Sequence, residues 1–281
     1  MAGLMGLPPL TRTSPPVAGP KPPVLARWFT PAGPAEMAVV EAGGVRVVCV
    51  PGRYCVTTVI EGPGELVLVD VGSVVDLPRL SEVVAWLDKP VGLIIPSHLH
   101  FDHVMGVDAA ARHFDAELGL GQVSWNYVEG KRGIRKPKNI SVRAWFWMWL
   151  WQGLPVFARE DLPRGLRFGL PWADNPFEAR LGPRLCDGDA VPGLEGWEVL
   201  ETPGHADDAV CLLHRKAGML VAGDTVRNFH GGEWNPLVTD FAAFRTTVSR
   251  LKTFEVQAVF PAHGPALCGE NILRRLRWMP L

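Results

Sequence analysis

The stretch Ser97-His-Leu-His-Phe-Asp-His-Val-Met-Gly106 sets three imidazoles and a carboxylate within six residues, and the rest of the chain is read outward from it. Ahead of it, Val91-Gly-Leu-Ile-Ile-Pro96 is a short apolar run that reads as a buried strand, and residues 104–114 behind it have helical spacing. The cluster therefore falls on a strand-to-helix turn. In extended chain, residues two apart point the same way, so His98 and His100 can bind one ion together. Asp102 and His103, where the chain tightens into the helix, are free to face a second ion. Neutral imidazole and carboxylate suit zinc, iron and manganese alike. The competing reading is four unrelated polar residues at a helix start, with Asp102 as its cap.

At 281 residues and 47% hydrophobic composition, the chain can bury a large core within one domain. A formal charge of −1 and a pI near 6.7 argue against nucleic acid as the general partner, leaving only a local basic patch for that role. The five cysteines, Cys49, Cys55, Cys186, Cys211 and Cys268, are odd in number and lack CxxC spacing. That argues against a disulfide framework or a zinc knuckle, and they read as buried, reduced thiols. Residues 1–23 carry no signal-peptide pattern, and no run reaches the ~18 apolar residues of a membrane span. A cytoplasmic protein without a membrane span is expected.

Residues 1–34 hold nine prolines and read as a disordered or surface-draped leader. The catalytic domain is expected over 35–281. Its first part, with β-rich runs at 38–41, 45–50, 56–61 and 66–71 separated by glycine- and proline-rich turns, reads as an antiparallel meander. Helical spacing follows over 76–87. An insert is expected at about 115–180. Within it, residues 131–143 hold six basic residues and no acidic one, and tryptophans follow at 145, 147, 149 and 151. Residues 141–155 read as a helix that Ser141 caps and Gly153 and Pro155 end, and three roles fit it: packing on the core or at a homodimer interface, a lid that places Trp147 and Trp149 against an apolar substrate, or an interfacial membrane helix. Strand patterns resume at 197–202, 209–213, 219–222 and 256–260, with helices over 240–254 and 271–278.

Three further motifs end strands with polar tips: Thr202-Pro-Gly-His205, Gly223-Asp224-Thr225 and Pro261-Ala-His263-Gly264. Each is weak alone. Together with the first cluster they put five of the eight histidines at strand C-termini or in the loops that follow, where sheet-based sites form.

In this order, with Asp70 in Leu-Val-Asp-Val-Gly, the motifs resemble those of the metallo-β-lactamase superfamily over residues 38–268. The resemblance implies an α+β fold, a four-layer αβ/βα sandwich, with a two-metal site at one edge of the sheets. It implies His98, His100 and His205 as ligands of one ion, Asp102, His103 and His263 as ligands of the other, and Asp224 between them. Asp70 matches a position that orients the ligand loop. The implied cofactor is a pair of divalent ions, zinc foremost, with iron or manganese as alternatives.

Such a pair lowers the pKa of a shared water and polarises a carbonyl or phosphoryl oxygen, and Asp102 is placed to orient the nucleophile or relay its proton. The expected reaction is hydrolysis of an ester, thioester or lactone of a small, partly apolar substrate. The histidine cluster resembles those of homoserine lactone hydrolases and glyoxalase II-like esterases in particular. Where those lactonases carry a tyrosine three residues after the bridging aspartate, this chain has Arg227. Antibiotic-cleaving members mostly lack that aspartate, so β-lactams are not the expected substrates. Two alternatives stand beside this reading: a phosphodiesterase or nuclease on the same two-metal site, and a persulfide-dioxygenase-like enzyme using one iron. Arg227 and His230, after Asp224, are candidates for substrate contact; His113 and His214 read as surface and structural residues.

Overall fold

Side chains in a strand alternate between its two faces, and here both faces of most strands are apolar, so each sheet must be covered twice. The computed structural model of the protein describes residues 7–14, 36–131, 158–162 and 177–278. The first sheet has eight strands in chain order: β1 (Leu10–Thr13), β2 (Ala38–Ala42), β3 (Val45–Pro51), β4 (Val56–Glu61), β5 (Leu66–Val69), β6 (Val91–Ile95), β7 (Glu117–Gly121) and β8 (Leu181–Leu185). Pairing is antiparallel as far as β5 and parallel from there to β8. The second sheet comprises β9 (Trp197–Glu201), β10 (Val210–His214), β11 (Met219–Gly223), β14 (Ala258–Pro261) and β15 (Leu267–Cys268), in the spatial order β15-β14-β11-β10-β9. A small third sheet joins β12 (Val226–Arg227), β13 (Glu233–Trp234) and β16 (Arg277–Trp278).

Residue alternation assigns the layers. Val67, Val69 and Ile95 share one core with Val199, Leu212, Met219 and Val221 of the opposite sheet. Their neighbours Leu66, Leu68 and Ile94 face outward, onto Leu80 and Val83 of α1 (Leu77–Leu87) and Val107 and Ala110 of α3 (Val107–Phe114). On the other flank, Leu200, Leu213 and Leu220 meet Phe244, Val248 and Leu251 of α5 (Phe241–Leu251). The result is the four-layer αβ/βα sandwich. Parallel pairing within each sheet brings the strand ends that matter to one edge: β5 beside β6, and β11 beside β14.

Several local expectations change. The leader is not wholly without structure: Leu10–Thr13 pairs along β2 as the edge strand of the first sheet. The stretch set apart as an insert opens with core elements, β7 and α4 (Gln122–Val128), and the tryptophan-rich residues 145–151 lie outside the described residues. The single helix read over 104–114 is interrupted, as α2 (Phe101–Val104) ends before Gly106 and α3 begins after it. The last helix shrinks to α6 (Ile272–Arg275), because Arg277 and Trp278 pair with β13 instead. Of the cysteines, Cys49, Cys55 and Cys211 are buried, whereas Cys268 is exposed and Cys186 half-buried; all five are free thiols. No helix among the described residues is long and apolar enough to cross a membrane.

Candidate metal centre

The loops after β6, β9, β11 and β14 bring seven polar side chains together. Three overlapping groups form, His98–His100–His205, His98–His103–Asp224 and Asp102–His103–His263, each with ligand atoms within 4.8 Å of one another. His98 and His100 come from the loop after β6, where the His100 backbone is extended, and Asp102 and His103 from the one-turn helix α2 that follows at once. His205 stands on a turn that only glycine allows: Gly204 has φ +140°, and a β-carbon there would lie 2.4 Å from Phe244 Cβ of α5. Thr239 N and Asp240 N donate to Gly204 O at 2.7 and 3.0 Å and close that turn onto the helix start.

Asp224 is divided between the two sides of the cluster. Its Oδ2 lies 3.3 Å from His205 Nε2. Its Oδ1 lies 3.5 Å from His103 Nε2 and 3.3 Å from His263 Nε2. Asp102 Oδ2 faces the same two imidazoles, 3.8 Å from His103 Nε2 and 3.4 Å from His263 Nε2. On the other side, His205 Nε2 is 3.1 Å from His100 Nδ1.

Partners behind the imidazoles select which nitrogen faces inward. Asp70 Oδ2 is 2.9 Å from His103 Nδ1 and holds that proton, leaving Nε2 free. Asp70 also receives Ser97 N at 2.7 Å and Ser97 Oγ at 2.8 Å, from a left-handed backbone with φ +61°. Leu237 O, 2.5 Å from His205 Nδ1, does the same for His205. Asn235 fixes that turn by accepting Leu237 N at 3.0 Å, and its Nδ2 reaches Asp224 Oδ2 at 3.5 Å.

Charge is unevenly shared across the cluster. Burial, reinforced by neighbouring imidazoles, pushes His98 well below the usual histidine range and His100 down to about 3; burial lowers His205 too. These three are neutral, the form that ligates metal. Burial works against charge on His103 and His263 as well, yet Asp70, Asp102 and Asp224 hold His103 well above the usual range, and Asp224 and Asp102 raise His263. Against the same burial, these imidazoles hold Asp102 down at about 2 and Asp224 well below the carboxylate range. His98 Nε2, His103 Nε2 and Asp224 Oδ1 are buried with no hydrogen-bond partner. Buried polar atoms in that state call for a partner of another kind, and five imidazoles with two carboxylates are a donor set for divalent zinc, iron or manganese.

Other candidates lie further out. Arg227 is buried, with Nε 3.3 Å from Glu233 Oε1 and its guanidinium 5.3 Å from the Phe229 ring centre. His230 Nδ1 is 3.4 Å from the same Glu233 oxygen. Glu233 also accepts Phe229 N and His230 N, both at 3.1 Å. Both residues are thus engaged by Glu233 beside the loop of His263, whose ring lies 6.2 Å from that of Phe229. Trp147 and Trp149 lie outside the described residues. His113 is exposed, 2.8 Å from Ser81 Oγ, and His214 Nδ1 accepts Ala217 N at 3.0 Å.

The sequence model described as the metallo-beta-lactamase superfamily matches residues 50–263, which span all seven side chains. Among curated relatives, a probable metallo-hydrolase, YqjP of Bacillus subtilis (strain 168), is 30% identical over 34% of this chain and 32% of its own. A linear primary-alkylsulfatase of Pseudomonas sp. (strain ATCC 19151) is 25% identical over 78% of this chain and 44% of its own. The chain thus spans less than half the length of either. Among solved structures, a metallo-beta-lactamase family protein, TTHA1429 of Thermus thermophilus, superposes with a TM-score of 0.53 at 24% identity, over 83% of this chain and 76% of its own. With the motifs, the layered fold and the match over most of its length in agreement, the chain belongs to the metallo-β-lactamase superfamily.

Proposed function

We propose that the chain is a metal-dependent hydrolase that uses two divalent ions, zinc foremost and iron or manganese as alternatives, to open an ester, thioester or lactone carbonyl of a small, partly apolar substrate. The observation that carries this reading is the division of Asp224, with Oδ2 3.3 Å from His205 and Oδ1 3.5 and 3.3 Å from His103 and His263. A carboxylate so placed can serve two ions at once, whereas a single four-coordinate ion would leave at least three of the seven donors idle. His98, His100 and His205 would hold one ion, Asp102, His103 and His263 the other. Bound there, the pair would supply Lewis acidity for a carbonyl oxygen and lower the pKa of a nearby water.

The chain's own residues do the rest. Asp70 and Leu237 O keep the Nδ1 protons of His103 and His205 in place, so that both Nε2 atoms face inward. Asp102 Oδ2 faces Nε2 of His103 and of His263 and would ligate with them, and the carboxylate, held ionised by those imidazoles, would orient the attacking water through its other oxygen, Oδ1, and take up the proton there. Resemblance to thioesterase- and lactonase-like members supports a carbonyl substrate. The match to a linear primary-alkylsulfatase over 78% of this chain favours a second reading, a sulfate ester of an alkyl chain.

Acyl esters, acyl thioesters, lactones and alkyl sulfates, assayed before and after chelation, separate these readings. Turnover of a carbonyl substrate that chelation abolishes and added zinc restores is the expected result. Turnover of alkyl sulfate alone would transfer the site to the second reading, and chelator-resistant turnover would overturn both.

A further inference from the structure

The backbone of Ser97 and Leu99, on either side of His98, is held from two directions. Ser97 N donates to Asp70 Oδ1 at 2.7 Å, and Ser97 O accepts Val210 N at 2.8 Å. Leu99 N, the amide between the two histidines, donates to Asp208 Oδ2 at 3.0 Å. The same oxygen accepts Ser124 Oγ at 2.9 Å. Asp208, Ser124 and Leu99 are all buried, at 6%, 1% and 5% exposure, so water does not compete for these bonds. Asp208 stands three residues after His205 on the same loop. One rung further along, Tyr127 Oη donates to Asp207 Oδ2 at 2.5 Å, so α4 places two hydroxyls, three residues apart, on two adjacent carboxylates.

We infer that Asp208 is a positioning residue for the three-histidine side of the metal centre, fixing the Leu99 peptide so that His98 and His100 meet His205 at one point. This rests on the two-metal reading above. Rotation of the Leu99 peptide swings both flanking imidazoles, and the bond to Asp208 opposes that rotation. A carboxylate is the stronger acceptor for such an amide, since charge-assisted bonds are shorter and stronger than neutral ones. Because Asp208 and His205 share a loop, the bond also sets how far His205 stands from the other two; His205 Nε2 to His100 Nδ1 is 3.1 Å. Asp70 and Asp208 thus grip amides 97 and 99 of one short segment, each from a different sheet's loop. Partners that orient metal-ligating histidines typically change affinity 10–100-fold when removed.

The test is cobalt(II) titration of the full chain, read by its visible absorption bands and by competition with a chelator, alongside thermal melting. Asp208→Ala, Asp208→Asn and Ser124→Ala are compared with wild type and with Asp108→Asn, a control at a buried carboxylate that accepts Glu178 N and Ala179 N instead. Expected for Asp208→Ala is a roughly 10–100-fold weakening of one of two cobalt equivalents with altered bands. Asp208→Asn, which keeps one carbonyl acceptor, should restore part of that affinity, and Ser124→Ala should fall between Asp208→Asn and wild type. Should Asp208→Ala fail to fold, the Asn and Ser124 variants carry the same comparison. Unchanged bands and affinities in the variants would overturn the inference, as would equal weakening of both equivalents matched by Asp108→Asn. A wild-type chain that binds no cobalt would overturn the two-metal reading and this inference with it.

Discussion

Asp224 is the residue on which the two halves of the site meet, and the variants at it and at His263 are the most informative. Asp224→Ala and His263→Ala are expected to lose the Asp102–His103–His263 ion more readily than the other, with kcat/KM falling by about 10²-fold or more; metal analysis paired with kinetics checks both, and metal loss with full activity would contradict the mechanism. Asp70 touches no ion in this account. Its replacement by alanine should therefore weaken metal binding about 10–100-fold and leave activity at saturating metal largely intact. The candidate ligands are legible in the sequence, because ligation needs imidazole or carboxylate at close spacing and few other purposes gather so many. What stands behind them is not. Leu237 acts through its carbonyl, which every residue type has, and Asp208 and Asn235 are single polar residues whose purpose depends on what the fold brings near. Arg227 and His230 follow Asp224 closely enough to be candidates, but Glu233, six residues beyond Arg227, engages both.

At the scale of the element, α1 and the turn between β3 and β4 offer a pH test. Asp76, at the start of α1, accepts Arg53 N with both oxygens, at 2.9 and 3.0 Å. Burial nonetheless pushes its carboxyl up to about 7. The native state thus holds a proton that the unfolded chain releases near 4. Stability from this group is fully present below about pH 4 and is lost as pH rises through about 7, on the order of 1–4 kcal/mol in all. Urea midpoints of wild type and Asp76→Asn at pH 5 and pH 8 check it: wild type should lose ground to the variant at the higher pH, and parallel curves would contradict the assignment. The β5–β6 and β11–β14 parts of the fold are readable, because short apolar runs end at polar tips. By contrast β7, Glu117-Leu-Gly-Leu-Gly121, contains two glycines and reads in sequence as the start of an insert; parallel pairing beside β6 makes it a strand. The last helix departs from its sequence pattern for a related reason. Arg277 and Trp278 take extended backbone to pair with β13, where the Trp278 ring meets that of Phe244 edge-on.

Over the whole molecule, the site joins the two sheets: His98, His100, Asp102 and His103 follow a strand of the first, and His205, Asp224 and His263 follow strands of the second. Ions held there would cross-link the two halves as well as serve the reaction. Removing both should lower the melting temperature, by roughly 10–20 °C if the ions are present at about 100 times their Kd. Asp224→Ala should shrink that chelator-induced shift, and a melting curve indifferent to chelator would contradict a site that spans the sheets. At this scale the strand and helix patterns alone give only runs of strands followed by helices, and the four-layer sandwich is legible through the motifs that carry the family resemblance, while substrate choice is not written in the ligand set. The central claim is that this chain holds two ions at once, and metal content per chain tests it most directly. Protein refolded or dialysed with zinc, iron or manganese and then freed of excess should retain about two equivalents of one metal per chain, and Asp224→Ala about one; wild type that saturates at a single equivalent under all three would contradict the account.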